Sequence, residues 1–340
     1  MLKSPGVLLA ASLVLQAPPA QPPPPGQQAP VFRAGLSTVA VPATVYDADG
    51  RIVTRLTRQD FLLFDDGRRQ EITNFTSGQV PLRVVVLLDA SASMMSAIDL
   101  ARHAAEQFVI RLGPEDAARV GVFSARVAIS PEFTADRDAL LGVLREDLPF
   151  SNPTHLLDAV NDAVAALSGQ PGRRVVVVFT DGCDTASDTG WDALIERLYA
   201  EDVMVYAVRF RTRILLRDQR PQVGRRQRRG PCDDHRPLEL PAGVPLSDFF
   251  RLEDPRVTQG PALLARMAVE TGGTAVPLAP GDDANRLFTA IVTELHHQYL
   301  LGFSPSMPDG KVHQLSVRVP DRSLVVRARR AYLAPPPPSR

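Results

Sequence analysis

The stretch Arg83-Val84-Val85-Val86-Leu87-Leu88-Asp89-Ala90-Ser91-Ala92-Ser93-Met94 decides how the chain is read. Its first half is an unbroken apolar run of strand length, rich in valine, which predicts a strand buried on both faces as in a parallel sheet. The run ends in one carboxylate and two hydroxyls at alternate positions, Asp89, Ser91 and Ser93. In open α/β sheets, ligands bind outside the carboxyl ends of the strands, where these side chains fall. One carboxylate and two neutral oxygens form a hard-oxygen set too sparse to saturate a divalent cation. Magnesium suits such a set, because it is held through one or two carboxylates and keeps its other positions for water or ligand. The same letters also describe a strand followed by a Ser-rich turn that caps the next helix, and the spacing alone leaves both readings open. In either case the strand-end carboxylate is expected to be exposed, so that removing it costs the fold little.

A second run of the same kind, Val175-Val176-Val177-Val178-Phe179-Thr180-Asp181-Gly182, also ends in an acid. From residue 81 onward, strands alternate with helices. Ala97, Leu100, Ala101, Ala104, Phe108 and Leu112 recur at helical spacing, with Ser96 and Asp99 as a capping box and Gly113-Pro114 as the stop. A strand follows over 120–127, and Asn152 with Pro153 at the first helical position starts a helix that runs to Gly169. Helices are expected over 191–200, 261–271 and 282–297, and strands over 203–210 and 274–278. This order predicts an α/β, doubly wound fold, a mostly parallel sheet flanked by helices.

Asp89-x-Ser91-x-Ser93, followed by Met94, resembles the metal-ion-dependent adhesion site (MIDAS) of von Willebrand factor type A (VWFA) domains. The resemblance covers residues 81–298 and implies the Rossmann-like sheet of that family. Its remaining site positions fall on Thr154, in Ser151-Asn152-Pro153-Thr154, and on Asp181. The family's chemistry implies Mg2+ (or Mn2+) held by Asp89, Ser91 and Ser93, with Thr154 and Asp181 acting directly or through water. An acidic side chain from a protein partner fills the open position, as in cell adhesion. Ala92 replaces the Gly that the family often has there, and Pro153 stands where a Gly is usual; neither change removes an oxygen ligand. The order of export signal, short β region and A domain is similar to the bacterial subgroup called the VWFA-related acidobacterial domain.

Outside the alternating core, Lys3, the apolar run 7–15 and the small residues up to Ala20 describe a signal peptide over 1–20. The run is too short to span a bilayer. A Pro-rich linker over 21–30 reads as an extended tether. No transmembrane segment is expected after signal removal, so the protein is expected to be secreted or periplasmic. Residues 31–80 alternate in the strand manner around turns at Asp47-Ala48-Asp49-Gly50 and Asp65-Asp66-Gly67. Residues 299–333 return to strands, and neither segment alone can bury a core, so together they are expected to form a small β-sandwich-like companion domain. A Pro-rich tail, 334–340, is expected to be disordered. Cys183 and Cys232, the 2 cysteines of the chain, are a candidate disulfide, since both follow strands that leave a parallel sheet on one side and export permits the bond.

The insertion over 211–258 is Arg-dense; Arg225, Arg226, Arg228 and Arg229 are candidate anion-binding residues. Its Arg-dense part, 211–229, lacks aromatic residues for base stacking. The whole chain has 38 basic and 38 acidic side chains, so no global field points to nucleic acid or a membrane surface, and no specific nucleic acid is expected. Chemistry is excluded by what is missing. A phosphoryl-transferring Asp-x-Asp needs a carboxylate where Ser91 stands, no Gly-rich turn follows the first buried strand, and no Gly-x-Ser-x-Gly or His-Glu-x-x-His occurs. The expectation is an exported, non-catalytic binding protein that uses a divalent metal. Its rivals are a metal-free structural scaffold and an anionic-polymer binder acting through the insertion.

Overall fold

The computed structural model describes residues 38–148, 150–210 and 261–337. The signal-like start, the Pro-rich linker, Cys232 and the Arg-dense insertion with Arg225, Arg226, Arg228 and Arg229 lie outside the described residues. The chain enters through β1 (Val39–Tyr46), β2 (Leu62–Asp65), β3 (Arg68–Gln70) and β4 (Asn74–Thr76). It then alternates β5 (Leu82–Asp89), α1 (Ile98–Val109), β6 (Ala117–Phe123), β7 (Val127–Ile129), α2 (Arg137–Arg145), α3 (Leu156–Leu167) and β8 (Arg173–Thr180). The alternation continues with α4 (Trp191–Ala200), β9 (Val203–Phe210), α5 (Pro261–Glu270), β10 (Ala275–Leu278) and α6 (Ala284–His296). It leaves through β11 (Tyr299–Phe303), β12 (Val312–Arg318), β13 (Val325–Ala328) and β14 (Ala331–Leu333).

The central sheet has the order β10-β9-β8-β5-β6-β7, parallel throughout except for the β6–β7 pair. The valine-rich runs are its middle because both faces are covered. Val84, Val86 and Leu88 pack with Phe108, Leu144 and Phe288 of α1, α2 and α6. Val85 and Leu87 pack with Val160, Leu198 and Met267 of α3, α4 and α5. Each fully buried side chain of this kind stabilises the fold by roughly 1.5–3 kcal/mol, which is why β5 tolerates no polar face. The chain leaves β5 toward β6 on one side and leaves β8 toward β9 on the other. The sheet therefore reverses between β5 and β8, and a crevice at their carboxyl ends is the expected ligand position.

Several local expectations are corrected. The apolar run 120–127 is a tight hairpin: Ser124 N–H donates to Arg126 O at 3.0 Å, and β7 returns antiparallel to β6. No Gly or Pro marks that turn, so the alternation reads as one strand. The Ser96–Asp99 capping box does not form; a 3-10 turn, Ala92–Ser96, precedes α1, whose N-cap is Ala97 without a side-chain bond. The third helix starts at Leu156, beyond Pro153, because Asp184 Oδ1 accepts from Leu156 N (2.9 Å) and Leu157 N (3.3 Å) and caps it there.

Strands from both ends of the chain share two further four-stranded sheets, β13-β1-β11-β4 and β14-β12-β2-β3. Val39 to Ala43 pair with Phe303 to Tyr299, and Leu315 to Arg318 with Asp65 to Leu62. Between them lie Val41, Phe61, Leu63, Tyr299, Leu301, Phe303 and Tyr332. The β2–β3 turn places Asp66 and Gly67 at φ +46° and +77°, the left-handed pair that a two-residue hairpin requires. The last two strands part company: β13 joins the first sheet and β14 the second. The tail is ordered at its start, since Ala334 is buried in this core and its N–H donates to Lys311 O at 2.8 Å.

Candidate metal centre

Asp89 ends β5 and is fully buried. The expectation of an exposed carboxylate is corrected. Ala90 N–H donates to Phe123 O at 2.8 Å and Ser151 N–H to Ala90 O at 3.3 Å, so neighbouring loops close over the strand end. Asp89 Oδ1 accepts from Ser91 N at 2.8 Å, which turns the chain back over the carboxylate. Asp89 Oδ2 accepts from Thr180 Oγ1 at 2.6 Å across the β5–β8 pair. Ser91 is buried and Ser93 half-buried, and their hydroxyls lie 3.1 Å apart.

Asp181 follows β8 directly and is 9% exposed; its Oδ1 accepts from Cys183 N at 3.1 Å. Thr154 is buried in the loop before α3. Its carbonyl accepts from Thr185 N (2.9 Å) and Ala186 N (3.2 Å), and its N–H donates to Thr185 Oγ1 at 2.8 Å. The five sequence-derived residues thus stand on three loops, after β5, after β8 and before α3, and hydrogen bonds fasten those loops together. Cys183 is disulfide-bonded. The other cysteine of the chain, Cys232, lies outside the described residues.

Burial, and to a smaller extent the neighbouring Asp181 carboxylate, push Asp89 up to about 6 against the hydrogen bonds from Thr180 and Ser91. Among the described residues, the hydrogen-bond donors to Asp89 are neutral, and the ionisable neighbour acting on it is itself an acid. An uncompensated buried carboxylate costs several kcal/mol, and a cation placed between the two acids would remove that cost. The donors at hand, two carboxylates and three hydroxyls, are all oxygen and fit a hard divalent ion.

Three supporting groups escape a reading of the sequence. Thr180 is the one with a local signal, since it is the last strand residue and lies across from Asp89. Asp184 caps α3 from a different loop, and its Oδ1 also accepts from Ser187 Oγ at 2.5 Å. Asp158, in the first turn of α3, accepts from Thr189 N (2.9 Å) and Asp188 N (3.1 Å) and lies 3.0 Å from His155 Nδ1. Burial pushes the Asp158 carboxyl up, but these bonds outweigh it and hold the group at about 2. Nothing near positions 154–158 announces that their partners stand some thirty residues on.

The family model described as von Willebrand factor type A domain matches residues 84–183, from inside β5 to just past Asp181. No curated protein matches the chain. Among solved structures, an aerotolerance-related membrane protein from Bacteroides fragilis is 19% identical, covering 63% of this chain and 98% of that one, with a TM-score of 0.44. The conserved hypothetical protein BatB from Bacteroides thetaiotaomicron is 18% identical, covering 63% of this chain and 97% of that one, with a TM-score of 0.43. Proximal thread matrix protein 1 from the mussel byssus, with a zinc-occupied MIDAS motif, is 17% identical over 41% of this chain and 38% of that one, at a TM-score of 0.36. Residues 84–183 thus match a von Willebrand factor type A domain, and they belong to a doubly wound sheet that carries Asp89, Ser91 and Ser93 at its switch point.

Proposed function

We propose that the chain is an exported, non-catalytic binding protein that engages a protein partner through a divalent metal at the switch point of its sheet. Asp89, Ser91 and Ser93 would hold magnesium (or manganese), with Thr154 and Asp181 acting directly or through water. The bound ion would supply positive charge and an open position for an acidic side chain of the partner. The observation that carries this reading is the fully buried Asp89, held by neutral donors beside a second acid. Export is supported by the signal-like start followed by a Pro-rich tether, and among the described residues no helix is long and apolar enough to cross a membrane.

The test is calorimetric titration of the whole chain with magnesium, for wild type and for Asp89→Ala and Asp89→Asn, with thermal melts as folding controls. Saturable binding in wild type alone, together with chelator-sensitive capture of a partner, is the expected result. Equal affinity in all three proteins, or no binding in any at millimolar metal, would leave the residues as a closed strand-end turn in a structural scaffold.

A further inference from the structure

The layers built from the two chain ends contain a second cluster of metal-ligating side chains, remote in sequence from the A-domain motif. Asp65 at the end of β2, Asp66 in the following turn and His313 in β12 each present one donor atom, all within 4.8 Å of one another. His313 Nδ1 lies 3.0 Å from Asp65 Oδ1 and 3.7 Å from Asp66 Oδ2. Ligands around a tetrahedral zinc ion, bound at about 2.0–2.2 Å, stand about 3.4 Å apart, which these two separations bracket.

The remaining atom of every one of these groups is already held from behind. Asp65 Oδ2 accepts from Tyr332 OH at 3.0 Å, and Asp66 Oδ1 accepts from Gln314 N at 2.9 Å. On the far side of the ring, His313 Nε2 bonds Asp309 Oδ1 at 3.1 Å. A histidine whose outer nitrogen donates to a carboxylate turns its other lone pair inward, the arrangement that orients imidazole ligands on metals. Three electron-pair donors therefore face one another: an imidazole nitrogen and two carboxylate oxygens, with Asp65 and His313 both almost fully buried. Such a grouping is stable only with a positive charge between its members, either a proton on Nδ1 or a metal ion. The side chains of Asp66 and Asp309 are 43% and 36% exposed, which provides a route from solvent.

We propose that Asp65, Asp66 and His313 form a second divalent-metal site, with water in its fourth position, that joins the N-terminal hairpin to the C-terminal strands. One nitrogen and two oxygens select zinc or a similar first-row transition ion, in contrast to the all-oxygen magnesium set around Asp89. The site is independent of the A-domain reading, because it uses none of its residues.

The experiment uses the full chain, stripped with chelator and titrated with cobalt(II) as a visible probe and then with zinc. The variants are Asp66→Asn, His313→Gln and Asp89→Ala. Asp66→Asn is the cleanest, since Asn tolerates the left-handed turn position and keeps an oxygen for Gln314 N while losing the charge. Wild type and Asp89→Ala are expected to give a cobalt d–d band displaced by one equivalent of zinc, and a zinc-dependent rise in melting temperature. Asp66→Asn is expected to bind at least tenfold more weakly while melting as wild type does without metal, and His313→Gln to lose the band. No band in wild type, or an equal band in wild type, Asp66→Asn and His313→Gln, would overturn the proposal and assign a proton to the gap. Loss of the band in Asp89→Ala alone would overturn it as well, by placing the ion at the A-domain motif.

Discussion

Asp89 and Asp65 end strands in different layers of the same molecule, and both are buried, yet their charges are met in opposite ways. Asp65 faces an imidazole and receives a phenol hydrogen bond, so the fold itself sets a basic group against it. Asp89 has a backbone amide, a threonine hydroxyl and a second acid for neighbours. Burying a carboxylate is tolerable only when its charge is offset, so the two sites differ in where the offset comes from. The β layers set a base against theirs, with His313 bonded on both sides by carboxylates. The A-domain sheet sets a second acid, Asp181, beside the fully buried Asp89.

The largest expected effect comes from breaking the enclosed pair. Asp65→Ala leaves His313 and the Tyr332 hydroxyl in the core without their acceptor, and should destabilise the chain by about 3–5 kcal/mol in urea unfolding. A loss below about 1 kcal/mol would mean that the two aspartates are not differently compensated, and the contrast would fall.

Asp89→Asn should do the reverse in metal-free protein. The folded-state carboxyl sits at about 6 and the unfolded one near its usual value of about 3.9, so the buried charge weakens the fold at neutral pH. A group raised in this way contributes stability that is fully present below the unfolded value and is lost as pH rises through about 6. Removing the charge should therefore stabilise the metal-free chain by about 2–3 kcal/mol at pH 7, and by nothing at pH 4. Magnesium should restore stability to wild type and not to the variant. Paired denaturation curves at the two pH values, with and without magnesium, check both halves. A destabilised Asp89→Asn at pH 7 would show that a cation within the protein already offsets the charge.

Asp158→Ala tests the frame around the centre, and about 1–2 kcal/mol should be lost with its three bonds. Its carboxyl is held at about 2, below its unfolded value, so its contribution is present above about pH 4 and disappears as pH falls toward 2. An acid-unfolding midpoint identical in wild type and Asp158→Ala would contradict that sign. The smallest effect belongs to Ser91→Ala, which removes a neutral ligand that water can replace. Magnesium affinity should fall by about tenfold or less, with no change in melting temperature beyond about 2 °C. A loss as complete as that of Asp89→Ala would place the charge balance of the site elsewhere.

The sequence alone determined the parallel sheet and its motif. Two valine-rich runs without a polar face require cover on both sides, and that requirement is local to each run. The carboxylate and hydroxyls at their ends follow from the same letters, so Asp89, Ser91, Ser93 and Asp181 are found without coordinates. Tertiary structure decided what those groups experience. Asp89 is buried because Phe123 and Ser151 close over it, and its shift arises from that burial and from Asp181. The start of α3 is set by Asp184, from another loop, which no pattern near Pro153 reveals. The Asp65–His313 pair likewise joins residues from opposite ends of the chain through the register of β2 with β12. Periodicity and strand-end chemistry depend on neighbours in sequence and are legible there. Caps, burial of charge and paired ligands depend on which distant segments meet, and that is settled only when the sheets assemble.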